Sequence, residues 1–583
     1  MTLVRHSLFV LLFVLSVVMT SCSEDPVNII TDSPGAPPDA PVADWDIQTT
    51  GAILQDVWGF SEDNVVAVGN SGTILHYDGA RWRGQSSGTI RHLNGVWGSS
   101  PTNIFAVGDG GAIVHFDGTR WKTMDSGTNE PFWAVWGSGP DDVFAVGESA
   151  QIRHWNGTQW ISENTPSIQL LWGVWGFSDS DVYAVGRGEN IVHYDGDKWE
   201  MVFAGSKTFF SIWGPAPDDI YAVGEVNAHY NGTMWEPINS ARVPLDGIRG
   251  TSNGALFGIG KLGAIFHYNG TDWVEQNSPS RKGLHGVWLN SDTEAFAVGN
   301  SGTIIRFEGQ WNKVAEGFVP DLRGISGPWN GSPVIVGKSG MILEKASGAW
   351  TPMVSGKTTT LWDVSVEGGE MHAVGNGGVL LRHKGAGWED LTGVTANALW
   401  GVWARADNDA FAVGGRNVIL RYDGVDWKPG SGGLPQALRA VWGTAANNVI
   451  SVGSAGICLV FDGIDWNDNT GQTTEELWAV WGVSRLNVYA VGDAGTILRY
   501  NGSRWWTLAS ITDERLRDVW GTSRDNVYIV GLAGTIFHWN GSNWTQMDSG
   551  TSQDLWGVWG TGEDDVYAIG NSGTIIHFDG TFP

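Results

Sequence analysis

Basic residues are scarce in this chain. Its 34 Lys and Arg are outnumbered by 62 Asp and Glu, which gives a formal net charge of −28 and an isoelectric point near 4.7. Phosphate binding depends on clustered Lys and Arg, so nucleic acid and anionic membrane surfaces are excluded as partners. Cysteine is scarcer still, with only Cys22 and Cys458. If Cys22 is modified, no intramolecular disulfide can form, and Cys458 in its apolar strand is a small buried hydrophobe.

Glycine and tryptophan, by contrast, are abundant. The 583 residues include 83 Gly and 35 Trp, while only 16% of residues are charged. This composition indicates many short strands joined by glycine turns rather than a helical protein. No glycine-rich phosphate loop leads into a helix, so we predict no nucleotide or other cofactor.

The N-terminus has the pattern of an export signal. Residues 1–21 carry Arg5 and His6, then the apolar run LFVLLFVLSVVM, which is too short for an ordinary membrane-spanning helix. The following MTSC resembles the lipobox of bacterial lipoproteins, which implies a lipidated Cys22 and an outer-membrane anchor, on the periplasmic or the cell-surface side. A plain secretory signal is the alternative. Residues 22–43 contain five prolines and predict an extended tether.

One sequence unit recurs through the rest of the chain. Residues 96–121 read VWGSSPTNIFAVGDGGAIVHFDGTRW, and related units follow at intervals of about 39 residues, the length of a four-stranded propeller blade. The VWG tryptophans are Trp58, Trp97, Trp136, Trp175, Trp213, Trp288, Trp403, Trp442, Trp481, Trp520 and Trp559. Arg249, Ser326 and Ser365 occupy the equivalent position in three further units, so the chain contains fourteen units.

Each unit contains four short β-rich runs separated by turn residues, which we name strands a to d. Strand a ends in Val-Trp-Gly, and a glycine turn such as 70–72 separates strands b and c. Strand d follows an Asp-Gly or Asn-Gly turn and begins with its own tryptophan. The sequence therefore predicts an all-β protein of two tandem seven-bladed β-propellers. The alternatives are one large ring of fourteen blades, or two rings of eight and six blades.

The ends of the repeat array suggest how the rings close. A strand d tryptophan, Trp45, precedes the first strand a, and the last unit stops before its own strand d. We predict a first propeller at residues 44–309 and a second at 310–583. In this scheme the Trp45 strand completes the blade containing Thr303, and the Trp311 strand completes the last blade.

These repeats resemble the tandem propeller lipoproteins of bacteria, whose blades are of the neuraminidase-repeat (Asp-box), kelch-like or photosystem-assembly-factor-like type. The resemblance covers Trp45 to the C-terminus and implies the fold, but propellers host many unrelated functions. The turn at residues 78–82, Asp-Gly-Ala-Arg-Trp, is one residue shorter than a true Asp-box. Sialidase activity therefore does not follow from the resemblance.

One column of strand c is rich in histidine. Its histidines are His76, His115, His154, His193, His229, His267, His538 and His577. Third strands of neighbouring blades should lie roughly 10–15 Å apart at ~4.8 Å per strand, whereas metal ligands must converge to about 2 Å from one ion. We therefore predict no metal site and expect these histidines to hydrogen-bond from blade to blade.

A second column varies where its surroundings are regular. It lies three residues before the VWG tryptophan, next to a Leu or Phe that is present in every unit. The first seven units have Gln55, Asn94, Trp133, Trp172, Phe210, Asp246 and His285, and the second seven have Arg323, Trp362, Trp400, Arg439, Trp478, Arg517 and Trp556. We predict that the second set forms an alternating Trp and Arg ring that binds sugars, aromatic groups or acidic peptides, with Trp133 and Trp172 as further candidates. The alternative is that these tryptophans only pack against neighbouring blades.

No nucleophile, base and orienting acid recur at a defensible spacing. We therefore expect no enzyme but a cell-envelope lipoprotein whose propeller scaffold binds a protein or glycan partner. The alternative is a carbohydrate-active enzyme of the sialidase or lyase kind, which would require acids, arginines and a tyrosine to converge.

Overall fold

The computed structural model describes residues 45–49 and 51–580, apart from 167–168, 189, 240, 252–253, 318–319, 329–330, 347, 368, 386, 407–408, 431–435 and 471. The predicted export signal, Cys22 and the predicted tether lie outside the described residues. Everything described belongs to one compact unit, and its strands form fourteen antiparallel four-stranded blades. Strand a is the innermost strand of every blade, because strands a of successive blades contact each other around each ring.

The first ring consists of blades 1 to 7, each built from consecutive strands. In order of strands a to d they are Leu54–Ser61, Asn64–Gly69, Ile74–Tyr77 and Trp82–Gly84; Leu93–Ser100, Asn103–Gly108, Ile113–Phe116 and Trp121–Met124; Phe132–Gly139, Asp142–Gly147, Ile152–Trp155 and Trp160–Ser162; Leu171–Ser178, Asp181–Gly186, Ile191–Tyr194 and Trp199–Phe203; Phe209–Ala216, Asp219–Gly224, Asn227–Tyr230 and Trp235–Ile238; Leu245–Gly250, Leu256–Gly260, Ile265–Tyr268 and Trp273–Glu275; and Leu284–Ser291, Glu294–Gly299, Thr303–Glu308 and Trp311–Ala315.

The second ring consists of blades 8 to 14. Their strands are Leu322–Ser326, Val334–Gly337, Ile342–Ala346 and Ala349–Met353; Leu361–Glu367, Glu370–Gly375, Leu380–His383 and Trp388–Asp390; Leu399–Ala406, Asp409–Gly414, Val418–Tyr422 and Trp427–Pro429; Leu438–Ala445, Asn448–Gly453, Cys458–Phe461 and Trp466–Asp468; Leu477–Ser484, Asn487–Gly492, Ile497–Tyr500 and Trp505–Thr507; Leu516–Ser523, Asn526–Gly531, Ile536–Trp539 and Trp544–Met547; and Leu555–Gly562, Asp565–Gly570, Ile575–Phe578 and, from the other end of the chain, Trp45–Thr49.

Short 3₁₀ turns connect strands b and c. They are Asn70–Gly72, Asp109–Gly111, Glu148–Ala150, Lys261–Gly263, Asn300–Gly302, Lys338–Gly340, Asn376–Gly378, Gly415–Asn417, Ser454–Gly456, Asp493–Gly495, Leu532–Gly534 and Asn571–Gly573. Gly72 shows why glycine ends them: its φ is +70°, and a Cβ there would lie 1.9 Å from the carbonyl oxygen of Thr89. Within the described part of the chain, no helix is long and apolar enough to span a bilayer.

Aromatic contacts between blades show that each ring closes after seven. The strand d tryptophan of one blade meets a strand b aromatic of the preceding blade edge to face, as Trp160 meets Phe105 at 6.0 Å and 84°. The same contact joins blade 1 to blade 7, where Trp82 meets Phe296 at 5.8 Å and 81°. It also joins blade 8 to blade 14. The predicted fold, two tandem seven-bladed propellers, is confirmed.

The predicted exchange of outer strands is wrong. The Trp311 strand pairs with its neighbour in sequence, with Phe307 opposite Trp311, and the Trp45 strand pairs with the last strand of the chain, with Trp45 opposite Phe578. The short turn at Gly309, whose φ is +80°, makes a tight hairpin, and this hairpin keeps the Trp311 strand in blade 7. The domain boundaries shift accordingly: the first propeller covers 54–315, and the second covers 322–578 together with 45–49.

The Trp45 strand also joins the two propellers. Its other edge meets the outer strand of blade 1, with Asp46 opposite Arg83, so blades 1 and 14 share one eight-stranded sheet. Arg81 of blade 1 forms an ion pair with Asp579, at 3.3 Å, just after the last strand. Trp45 itself is buried against Phe578 and Tyr528. The Trp45 strand is therefore part of the second propeller's core.

Candidate functional site

The variable residues of blades 8 to 14 lie together at the start of their inner strands. We call this set the Arg–Trp ring: Arg323, Trp362, Trp400, Arg439, Trp478, Arg517 and Trp556. Leu or Phe before each of them is fully buried between blades. The ring residue that follows is left out of the pairing with strand b by an irregularity in register, as Arg517 is between Leu516 and Asp518.

The arginines of the ring stack on the tryptophans on both sides. Arg517 lies over Trp478 and Trp556, with distances of 4.1 and 4.0 Å from its guanidinium carbon to the ring centroids. Arg439 lies over Trp400 at 4.0 Å and over Trp478 at 4.6 Å. The sequence-predicted alternation therefore forms a physical stack, held by cation–π attraction.

The stack continues around the ring through Arg323. Its guanidinium lies 3.9 Å from the centroid of Trp556 and 5.7 Å from that of Trp362. Arg323 and Arg517 are buried, while the ring's tryptophans are only half-buried. A molecule approaching the ring would therefore meet indole surfaces first, with the cations between them.

Two of the three arginines have an acidic partner. Arg323 pairs with Asp321 at 2.9 Å, and Arg439 pairs with Glu476 at 2.5 Å. Three tryptophans are fixed through their indole N–H groups. Trp362 donates to Asn376 at 2.7 Å, Trp478 to Asp493 at 2.6 Å and Trp556 to Asn571 at 2.9 Å. The tryptophan faces are thus held in position before any ligand arrives.

Arg517 differs from the other two arginines. Its buried Nε and Nη1 atoms have no hydrogen-bond partner among the described residues. Burial, and then the charge of neighbouring Arg515, lower the pKa of Arg517 to about 10. Asp493, one of two acids whose charge acts on Arg517, is paired with Arg515 at 2.5 Å. A buried cation without a partner is unfavourable, and an incoming anion would relieve the penalty.

The sequence reasoning missed the charged residues that surround the ring. Asp321, Glu476, Arg515 and Asp554 each lie immediately before the buried Leu of their strand a. They form a column next to the ring, which comparing the repeats could have revealed. Comparing the repeats could not have revealed the ion pairs, because the sequence does not show which acid faces which arginine.

The equivalent residues of the first propeller also come together. Trp133 and Trp172 lie 4.4 Å apart between ring centroids, and Phe210 meets Trp172 edge to face at 5.9 Å. Opposite this aromatic group along the ring, His285 contacts Asp246 at 3.6 Å. The first propeller thus has an aromatic and a polar arc, but no arginine, at this position.

The histidine column hydrogen-bonds within blades, so the blade-to-blade expectation is wrong. His154 bonds Asp142 of the adjacent strand b at 2.6 Å and stacks on Phe144 at 4.1 Å. The same bond to an Asp or Asn twelve or ten residues earlier is made by His76, His193, His229, His538 and His577. The reason is the register: strand c places each histidine directly opposite strand b of its own blade. Among the described residues, no group of three His, Cys, Asp or Glu is arranged to hold a metal ion.

No family model and no curated protein matches this sequence. Solved structures resemble it at low identity. YCF48 bound to D1 peptide is 16% identical over 45% of this chain and 95% of its own, with a TM-score of 0.40. YCF48 from Cyanidioschyzon merolae is 17% identical over 45% of this chain and 96% of its own, with a TM-score of 0.38. The extracellular domain of the putative one component system BT4673 from B. thetaiotaomicron is 10% identical over 92% of this chain and 83% of its own, with a TM-score of 0.41. The function of this chain must therefore be argued from its own site.

Proposed function

We propose that this protein is a non-catalytic lipoprotein of the bacterial cell envelope whose second propeller binds an acidic segment of a partner protein. The observation that carries the proposal is Arg517, a buried guanidinium between two tryptophan faces with no acceptor for Nε and Nη1 among the described residues. A carboxylate suits this guanidinium, because a guanidinium N–H forms a strong charge-assisted hydrogen bond with a carboxylate oxygen.

The surroundings of Arg517 favour a peptide as the carrier of that carboxylate. The half-buried faces of Trp478 and Trp556 offer apolar surface beside the charge. Trp and Arg in partly desolvated positions are the residues that dominate protein interfaces. The protein's net charge of −28 would slow the approach of an acidic partner at low salt, so the local ring must supply the attraction.

A peptide array tests the proposal. The purified full-length protein would be applied to acidic peptides, each paired with its Asn- and Gln-substituted counterpart. Arg517→Gln should weaken binding of the acidic peptides by about 2 kcal/mol, roughly thirtyfold. Arg504→Gln, at an exposed turn of the same propeller, is the matched control and should leave binding unchanged. Equal binding of acidic and amide peptides would contradict the proposal.

The acids around the ring support a binding role rather than catalysis. Asp321 is shared by Arg323 and Lys338, at 2.9 and 2.5 Å, and Glu476 is engaged by Arg439. Ion pairing of this kind lowers the pKa of Asp321, against the effect of burial, and leaves it a poor general acid at neutral pH. Turnover of any substrate in a panel of sialylated and uronic-acid glycans would favour the enzyme alternative instead.

The anchor is tested separately. Wild-type protein expressed in a bacterium with radiolabelled palmitate should carry the label and remain with the envelope fraction, and Cys22→Ala should abolish both. A label that persists in the Cys22→Ala variant would contradict lipidation at this residue.

A further inference from the structure

The first propeller has its own cluster at the position of the Arg–Trp ring, with different chemistry. Blades 3 to 5 supply Trp133, Trp172 and Phe210, which we call the aromatic arc, and all three are half-buried. Blades 6, 7, 1 and 2 supply Asp246, His285, Gln55 and Asn94, which we call the polar arc. Since the seven inner strands form a closed ring, the two arcs face each other around it.

The aromatic arc is a continuous surface with one unsatisfied donor. Trp133 and Trp172 are tilted by 46° at 4.4 Å, and Phe210 adds an edge contact to Trp172. The buried Nε1 of Trp133 has no acceptor among the described residues. In the second propeller, three tryptophans at the same strand position each have an acceptor. Trp133 therefore offers a ligand a ring face, while its N–H is buried without an acceptor among the described residues.

The polar arc is fixed by its own hydrogen bonds. Asn94 donates to Asp109 at 3.0 Å and to the carbonyl oxygen of Phe132 at 2.9 Å. Gln55 donates to Asn70 at 3.1 Å, and a ring nitrogen of His285 is 3.0 Å from Asn300. These bonds hold planar amide and imidazole groups in set orientations and leave the carbonyl oxygens of Gln55 and Asn94 able to accept.

We propose that this ring binds the pyranose rings of a neutral oligosaccharide. A pyranose has an apolar face of C–H groups, which suits the aromatic arc, and a rim of hydroxyls that both donate and accept, which suits the polar arc. No arginine or lysine belongs to this ring, and its one carboxylate, Asp246, lies 3.6 Å from His285, so nothing in the ring selects for an anionic ligand. This site is separate from the one proposed for acidic peptides, and either can exist without the other.

Calorimetric titration of the full-length protein tests the proposal. The probes are neutral hexasaccharides of glucose, mannose and N-acetylglucosamine. At least one should bind, and Trp133→Ala and Trp172→Ala should each weaken that binding tenfold or more. Trp506→Ala, in the outermost strand of blade 12 and outside both rings, is the control and should leave hexasaccharide affinity unchanged.

Two further measurements keep the outcome clear if an alanine variant folds poorly. Trp133→Phe keeps a ring face but removes the N–H, so it should retain part of the affinity. In the wild type, the bound hexasaccharide should shift tryptophan fluorescence, and the acidic peptides should not compete for it. Absence of binding by all three hexasaccharides at millimolar concentration, or equal affinity in the Trp133→Ala and Trp172→Ala variants, would overturn the proposal.

Discussion

The two propellers are built from one repeat but close differently. Blades 1 to 7 each consist of consecutive strands, so blade 1 meets blade 7 through contacts such as Trp82 on Phe296. Blade 14 instead takes its outer strand from the start of the chain, with Trp45 opposite Phe578. The second propeller is thus fastened by backbone hydrogen bonds between the two ends of the chain. The difference shows that one repeat can close a ring without a shared strand, and that such a strand is an added constraint.

Among the changes that test this difference in ring closure, removing the Trp45 side chain should have the largest effect on stability. Trp45 is only 2% exposed and packs on Phe578 and Tyr528. Trp45→Ala should lower the free energy of unfolding of the second propeller by about 3–5 kcal/mol. Hydrogen exchange measured by mass spectrometry should show faster exchange in blades 13 and 14.

Trp311→Ala is the matched control for that variant. Trp311 begins the equivalent outer strand of blade 7 and meets Phe257 edge to face at 5.6 Å. Its loss should accelerate exchange in blades 6 and 7 and leave blades 13 and 14 unchanged. If Trp45→Ala loosened the first propeller instead, the assignment of the Trp45 strand to blade 14 would be wrong.

A second contrast lies in the packing of the VWG motif. A Cβ built on Gly560 would lie 2.7 Å from the Trp520 ring of the preceding blade, and one on Gly59 would lie 2.7 Å from Trp288. Most VWG glycines therefore make room for a neighbour's tryptophan. Where the tryptophan is absent, at Arg249, Ser326 and Ser365, the following blade has Leu289, Val366 and Ala404 in place of glycine. Two of these three exceptions are in the second propeller.

Gly560→Val should therefore destabilise the second propeller by about 1–3 kcal/mol, because valine collides with Trp520 and with the carbonyl oxygen of Asp565, 2.5 Å from the added Cβ. Combining it with Trp520→Ser recreates the natural Ser326 and Val366 pair. The double variant should be less destabilised than the sum of the single variants by roughly 1 kcal/mol, measured by urea unfolding. Gly562→Ala, where a Cβ meets open space, is the control. Simple additivity of the two changes would mean that the clash is relieved in another way.

The pairing of a VWG tryptophan with the glycine of the next blade shows which parts of the fold the sequence could predict. Repeat length, turn glycines and the recurring tryptophans predicted the fourteen blades, because each is a local requirement of a four-stranded sheet. The compensation between Ser326 and Val366 was visible in the printed sequence and would have linked neighbouring blades. This compensation could not show where a ring closes, because the last blades of the two rings, 7 and 14, both have a tryptophan at this position, Trp288 and Trp559.

The sequence predicted which residues form the candidate site, as one column of the repeat, but not how their side chains contact one another. Counting back from VWG found Arg517 and its flanking tryptophans. That Arg517 is the arginine without an acid, while Arg439 has Glu476, depends on side-chain placement across blades. The exchange of outer strands failed for a related reason: both Trp45 and Trp311 fit an outer strand equally well, and only hairpin geometry at Gly309 decides between them.

Buried carboxylates supply the last and smallest contrast. In the second propeller, Asp363 and Asp518 each accept backbone N–H bonds from their own and the next blade, at 2.8–2.9 Å. Burial raises the pKa of both to about 7. The first propeller has one such residue, Asp56, whose pKa burial raises to about 6 while Arg249 opposes the rise.

As the pH rises, Asp363 and Asp518 should therefore cost the second propeller more stability than Asp56 costs the first, while His372 of the second propeller, whose pKa burial lowers to about 4, acts in the opposite direction. A folded-state pKa above the ordinary value of 3.8 means that the folded form holds a proton that the unfolded form has released. Stability then falls as the pH rises from about 4 to about 7 and levels off above that. We expect the contributions of these carboxylates to differ between the propellers by on the order of 1 kcal/mol between pH 5 and 8, because the side chains of Asp363 and Asp518 keep some exposure to solvent. Asp363→Asn combined with Asp518→Asn should flatten the urea-unfolding profile of the second propeller across this range.

Asp423→Asn is the control and should leave this profile unchanged, since backbone N–H bonds and Lys428 hold the pKa of the exposed Asp423 below its ordinary value, outside this pH window. A second-propeller profile that keeps its slope after both substitutions would place the pH dependence on other groups.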